Sequence, residues 1–349
     1  MKGRHVGGRR RRSRNCGTAL QTLARHGGGP EENNAAGRLN VLRLVLRLRV
    51  ASARHVRTQL RGEALYFRLS LWGDLDFDLG MSLPADYHMH TPLCRHAAGE
   101  PVEYAAHAVK VGLTEIGFTD HSPMRRDDFD NWRMRFDQLG EYVEKVRKAQ
   151  RDFPQLIIRL GLEVDFLPGH EEWIRELASL HPWDYFIGSV HYVSESWDVD
   201  NPEKLSEWKK RDAFEVWTAY FDWLTRAAAS GLFEIIGHAD LPKKFRYYPD
   251  RDCTHLFHRF LDAAKGTKTA IELNTAGLRK DCKEIYPSRY ILQLAAQKGV
   301  AITFGSDAHA PGDVGADLGK ALALARSVGY THYSRFAQRK CEYVGLPSA

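Results

Sequence analysis

From residue 85 onward the chain alternates between two hydrophobic rhythms. Short apolar runs rich in Ile, Val and Phe break off at a polar side chain. The longer stretches between them repeat apolar residues three and four apart. The first kind reads as buried strands and the second as amphipathic helices. Strands are expected at 86–90, 115–120, 157–163, 185–191, 233–238, 269–274 and 300–307. Helices are expected at 101–111, 138–151, 171–179, 203–230, 253–265, 288–297 and 318–328. Seven strand-then-helix units in sequence predict an α/β fold, a TIM-like (β/α) barrel with seven parallel strands.

The polar residues that end these strands change the picture. His90, Asp120, Glu163, His191, His238 and Asp307 each close a predicted strand, at the carboxyl rim where barrel active sites form. In the stretch DYHMHTPLCRH, residues 86–96, His88 and His90 are two apart, so an extended backbone points both imidazoles to one face. TDH (119–121), GLE (161–163), GSVH (188–191), GHAD (237–240) and GSDAH (305–309) add to the set. The candidate ligands are His88, His90, His96, His121, Glu163, His191, His238, Asp307 and His309. Neutral imidazoles with two carboxylates suit zinc, manganese or iron(II), and no thiolate site is indicated. One catalytic zinc takes three protein ligands, so nine candidates imply two or three divalent ions. Such clusters hold a hydroxide between ions, ready to attack phosphorus or a carbonyl carbon, and neutralise the oxyanion charge that develops. Each residue also has a plainer reading. His96 and His121 suit a loop surface, Asp120 and Asp307 suit caps, and Glu163 suits a salt bridge. Their joint placement on one rim outweighs these.

Charge is unevenly spread over the 349 residues. Residues 1–80 carry 16 Lys/Arg against 6 Asp/Glu, whereas the whole chain has a net charge of only +6. The basic balance therefore belongs to the first 80 residues and does not argue for a nucleic-acid partner of the main domain. Residues 1–80 are Arg- and Gly-rich and are expected to be a disordered extension. LNVLRLVLRLRV (39–50) reads as a basic amphipathic element, and an Arg-rich, acid-poor start also suits a targeting segment. Met81 opens the compact domain, 81–349. Five dispersed cysteines without a C-x-x-C pair suit reduced thiols and a cytoplasmic location. No apolar run approaches the roughly 18–20 residues of a membrane span.

The motifs DYHMHTPLCRHAAG, GFTDHSP, GLEVDFLPG, DYFIGSVHY, GHADLPKKF and FGSDAHAPGDVG resemble the PHP (polymerase and histidinol phosphatase) superfamily. NWRMRF, GLEVDFLPG and NTAGLRK with EIYPS resemble its histidinol-phosphatase branch, over about residues 84–345. The resemblance implies a distorted (β/α)7 barrel, the PHP fold, with a trinuclear metal site. It assigns His88, His90, Glu163 and Asp307 to one ion. Glu163 would bridge to a second ion, held also by His191 and His238, and His96, His121 and His309 would hold the third. The implied activity is hydrolysis of L-histidinol phosphate to L-histidinol and phosphate by attack of a metal-bridging hydroxide, with Glu163, Asp307 and His309 in the chemistry. Another phosphate ester or nucleotide, or an amide, is the alternative substrate.

A phosphomonoester carries nearly two negative charges and calls for cations beyond the metals. Arg279, after the strand TAIELN, is the first candidate for the phosphate. Lys244 and Lys243, after GHAD, follow it. Arg133 with Trp132 is expected as a lid, and Asp198 as a partner for the substrate amine.

Overall fold

The structure, a computed structural model, describes residues 83–194 and 196–348. The basic stretch 1–80 and the expected start at Met81 lie outside the described residues. Ten strands follow in chain order: β1 (Glu115–Phe118), β2 (Ile157–Asp165), β3 (Tyr185–Ser189), β4 (Tyr192–Ser194), β5 (Trp197–Asp198), β6 (Ile235–Ile236), β7 (Ala270–Asn274), β8 (Ile302–Gly305), β9 (His332–Ala337) and β10 (Lys340–Gly345). Six of them form one parallel sheet in the order β1-β2-β3-β6-β7-β8.

The segment 86–90, expected as the first strand, has no ladder of its own. It spans the gap between the two ends of the sheet through isolated parallel bridges, Asp86 with Ile116 on β1 and Met89 with Ala308 just past β8. Its backbone alternates sides. Tyr87 N donates to Phe304 O at 3.0 Å and His90 N to Ala308 O at 2.9 Å, while Asp86 O accepts from Gly117 N at 2.8 Å and Met89 O from Thr119 N at 2.9 Å. With this segment in the seventh place, the sheet curls into a distorted barrel. β6, with two residues, is where the ring is thinnest.

The strands form because both faces are covered. Every residue of β1, β3, β7 and β8 is buried, as expected of a parallel sheet wrapped in helices. Among the described residues seven helices follow, Pro101–Lys110, Leu139–Asp152, Glu171–Leu180, Ala213–Ala229, Thr254–Thr267, Arg289–Lys298 and Leu318–Ser327, with a further single turn at Leu205–Trp208. Ala213–Ala229 shows why they dock. It buries Val216, Trp217, Tyr220, Phe221 and Leu224, at the three- and four-residue spacing of one helix face.

Two expectations need correction. The single helix expected over 203–230 is broken into a 3-10 turn Pro202–Lys204, the turn Leu205–Trp208 and the helix Ala213–Ala229. Four consecutive charged residues, 209–212, separate the pieces, and the Asp212 side chain caps the last by accepting from Phe214 N. Two antiparallel hairpins, β4–β5 and β9–β10, were not expected. β10 is almost wholly exposed, so no buried alternation marks it in the sequence. Among the described residues, no helix is long and apolar enough to cross a membrane.

Candidate metal centre

The nine ligand-type residues come from the segment 86–96 and from the ends of β1, β2, β3, β6 and β8, and converge at the carboxyl rim. Glu163, near the end of β2, is at the centre. Its Oε2 lies 2.7 Å from His121 Nδ1, 3.4 Å from His88 Nε2 and 3.7 Å from His90 Nε2. Its Oε1 lies 2.9 Å from His238 Nε2 and 3.7 Å from His191 Nε2, and accepts from Ser189 Oγ at 2.6 Å. Asp307 Oδ1 is 3.2 Å from His90 Nε2 and 3.9 Å from His88 Nε2. At the mouth, His96 Nε2 and His309 Nε2 face each other at 2.9 Å. Asp307 holds a left-handed φ of 52° and His238 a φ of 22°. Side chains other than glycine adopt such backbone only where the surroundings enforce it, often at functional sites.

Many of these contacts are not ordinary hydrogen bonds. His88 Nε2, both ring nitrogens of His90, His121 Nδ1 and Glu163 Oε2 are buried without a hydrogen-bond partner, even where the partner atom is within 3 Å. Orphaned donors and acceptors are rare in native interiors. Lone pairs aimed at shared points and left without hydrogen-bond partners fit cations. Ligand atoms of His88, His90 and Glu163, of His90, His121 and His309, and of His121, Glu163 and His191 lie within 4.8 Å of one another. The triplets share members, so adjoining ions with common ligands fit better than one isolated ion.

Behind the ligands lie the groups that hold them; the sequence reading names Asp120 as a strand end but neither Glu272 nor Asp165. Glu272 Oε1 meets His88 Nδ1 at 2.7 Å and Asp165 Oδ1 meets His191 Nδ1 at 2.9 Å. Asp120 Oδ1 lies 3.4 Å from His90 Nδ1. His96 and His309 turn their Nδ1 atoms to the backbone oxygens of Cys94 and Asp307, at 2.8 and 3.1 Å. For His88, His191, His96 and His309 Nδ1 is engaged, which leaves Nε2 with its lone pair toward the centre, the usual arrangement for a ligating histidine. Glu272 stands under His88 only because β8 approaches closely at Gly305. A Cβ there would collide with the Glu272 carboxylate and stand 2.6 Å from His88 Cβ. Glu272→Gln keeps the shape and removes the charge that holds His88 in place. Zinc affinity, measured against a competing chelator, is expected to fall about 10–100-fold; unchanged affinity would show that His88 needs no such anchor.

Electrostatics match the geometry. Burial opposes ionisation of Glu163, but His121, His88 and His191 outweigh it and hold the carboxyl well below its usual range. Burial likewise opposes the charge on Asp307, and His88, His90 and His309 overcome it. Burial pulls His191 down, yet Asp165 and Glu163 bring it up to about 10. His121 and His309 are pushed well below their usual values, chiefly by burial. The pocket therefore keeps its carboxylates charged and balances them with cations.

Seven of the nine, all but His88 and His90, line a cavity of about 270 Å³, which Arg279 and Lys244 also line. Arg279 Nη2 donates to Ser306 O at 2.7 Å, while its Nη1 is buried without a partner. Lys244 Nζ binds Asp200 Oδ2 at 2.9 Å. A second cavity, of about 320 Å³, shares His121, His191 and Lys244 with the first and adds Trp132, Asp198 and Asn201. Asp198 is paired there with Lys204, at 2.5 Å.

Lys243 and Arg133 line neither of these cavities. Lys243 is buried against Asp240 at 2.9 Å, Glu284 at 3.1 Å and Ile285 O at 2.8 Å. It follows Pro242 in the 3-10 turn Leu241–Phe245, where neighbouring side chains point apart, so adjacency to Lys244 does not carry it to the rim. Arg133 is buried behind Trp132 in ion pairs with Asp130 and Asp165. Trp132 itself packs edge-on to His121 and His191, with ring centres 4.7 and 5.3 Å away.

Known proteins share both fold and sequence. The PHP domain family matches residues 86–276. A probable histidinol-phosphatase of Deinococcus radiodurans is 44% identical over 245 residues, 70% of this chain and 93% of that protein. The histidinol-phosphatase of Bacillus subtilis is 30% identical over 256 residues, 66% of this chain and 95% of its own. The solved histidinol phosphate phosphatase of Lactococcus lactis, complexed with zinc, L-histidinol and phosphate, shares the fold at a TM-score of 0.65 and 21% identity, covering 74% of this chain and 98% of that one. The chain belongs to the PHP domain family, in its histidinol-phosphatase branch.

Proposed function

We propose that the protein is a metal-dependent phosphomonoesterase that hydrolyses L-histidinol phosphate to L-histidinol and phosphate, a step of histidine biosynthesis. The observation that carries this reading is the cavity itself. Its wall joins a cluster of metal-ligand side chains to Arg279 and Lys244, cations suited to a phosphate dianion. The histidinol-phosphatases of Deinococcus radiodurans and Bacillus subtilis, each covered over more than nine-tenths of its length, support the substrate. A cytoplasmic location is part of the proposal, because Cys94, Cys253, Cys282 and Cys341 are free thiols.

His88, His90, Glu163 and Asp307 would hold one ion, Glu163 with His191 and His238 a second, and His96, His121 and His309 a third; zinc, manganese or iron(II) suits these donors. Such ions, when bound, supply a nucleophile from water at neutral pH and neutralise phosphoryl charge. The chain does the rest. Arg279 offers its unpartnered Nη1 to a non-bridging oxygen while Ser306 O fixes the guanidinium from behind. Lys244 has a remaining donor beside Asp200. Trp132 covers the imidazoles and limits water. Asp307, ionised, and His309, neutral, line the cavity, where they orient the water that gives the leaving alkoxide its proton.

The test is phosphate release from L-histidinol phosphate by purified protein, with zinc, with manganese and after chelation. Fast release that is lost on chelation and restored by metal is the expected result. A protein that binds metal yet leaves this ester intact would overturn the substrate and move the reading to another phosphate ester.

A further inference from the structure

Arg133 is only 4% exposed, lines neither cavity and touches no ligand-type residue directly. A buried guanidinium must be paired and hydrogen-bonded throughout, and its partners reveal its use. Nη2 donates to Asp165 Oδ2 at 2.9 Å, Nε to Asp130 Oδ2 at 2.7 Å and Nη1 to Ser122 O at 3.1 Å. Tyr192 OH donates to the same Asp130 oxygen at 2.8 Å. The guanidinium carbon lies 4.3 Å from the ring centre of Trp132.

Three of these partners, Asp165, Ser122 and Trp132, lead to the metal cluster by one further step. Asp165 Oδ1 accepts from His191 Nδ1 at 2.9 Å and from His191 N at 3.2 Å. Asp165 stands two residues beyond Glu163 on β2, so both carboxylates share a strand face. Ser122 directly follows His121. Trp132 packs against both His121 and His191. One side chain thus ties together the segment after β1, the end of β2 and the residue after β3. No other anchor of the cluster is built this way. Glu272, under His88, is held by the neutral donors His238 N at 3.0 Å and Asn274 Nδ2 at 3.1 Å.

We propose that Arg133 is a positioning residue. Through Asp165 it fixes the tautomer and direction of His191, and through Ser122 and Trp132 it sets His121, so these two imidazoles are aimed before any ion arrives. The inference rests on reading His191 and His121 as metal ligands. It assigns Arg133 to the metal face rather than to the substrate lid or the phosphate.

The experiment measures zinc affinity of the full-length chain against a competing chelator, independently of turnover. Arg133→Gln is expected to weaken the ions at His191 and His121 about 10–100-fold, and added guanidinium ion to restore part of the loss. Arg133→Lys keeps one charge but cannot grip three oxygens at once, so intermediate affinity is expected; if Arg133→Gln does not fold, this variant carries the test. The double variant Arg133→Gln with Asp165→Asn is expected to lose less than the sum of the two single losses, because both act on His191 along one line. Wild-type affinity in folded Arg133→Gln or in Arg133→Lys would overturn the proposal, as would fully additive losses in the double variant. His191→Ala separates the two readings. If it binds zinc as tightly as the wild type, the ligand assignment is wrong; if it loses zinc and Arg133→Gln does not, only the positioning role fails.

Discussion

Glu163→Ala is expected to lose phosphate release and bound metal together. No other carboxylate among the described residues has five imidazoles around it. Those of His88, His90, His121, His191 and His238 all lie within 3.7 Å of one or other oxygen. Removing the only charge they share leaves mutually repelling dipoles or imidazolium groups facing one another, and no bridge between ion sites. Several kcal/mol of charge stabilisation disappear, and since ~1.4 kcal/mol is tenfold, activity should fall about 10³-fold or more. Glu163→Gln separates charge from packing: it preserves shape, so a loss as deep as that of alanine is expected. Metal analysis beside a phosphate-release assay decides the matter. A glutamine variant within about tenfold of wild type would remove Glu163 from the centre of the mechanism.

Arg279→Ala should leave metal content alone and damage only the handling of phosphate. The side chain is tethered at one nitrogen by Ser306 O and lies 3.8 Å from Asp313, while Nη1 is unclaimed beside the cavity. A charge-assisted hydrogen bond contributes about 1.5–3 kcal/mol, so kcat/KM is expected to drop roughly 10–100-fold. Arg279→Lys should recover part, since an ammonium supplies charge without the planar fork. Unchanged kcat/KM, or zinc lost along with it, would remove Arg279 from the substrate side.

Much of this arrangement was legible in the sequence because two periodicities coincide. Parallel strands buried on both faces read as apolar runs, and a barrel places its chemistry where those runs end. His90, Glu163, His191, His238 and Asp307 are therefore visible without a structure. Glu272 and Asp165 were harder to find, though each left a trace. Glu272 is an acid inside the otherwise apolar AIELN of β7, and Asp165 follows Glu163 at the spacing that repeats a strand face. Arg133 and Lys243 show the limit. A cation near the rim in sequence can turn toward substrate or inward to a carboxylate, and only the packing of Asp165 and Asp240 decides which. The hairpin β9–β10 escaped for a different reason, since an exposed ribbon needs no hydrophobic pattern.

The segment that carries His88 and His90 is also the seam of the ring. It joins the opening of the described chain to β8, and Ser306 N reaches back to Asp86 Oδ1 at 2.8 Å across 220 residues of sequence. Ions that draw ligands from both His88 and Asp307 would therefore act as a clasp between the two ends of a very long loop. Closing such a loop restricts the unfolded chain as a crosslink does, and the clasp tightens with the free concentration of metal. Metal supply would then set how long the folded chain lasts as well as how fast it turns over. A starved cell would lose the enzyme by proteolysis at an opened seam, beginning at the histidines that no longer have anything to hold.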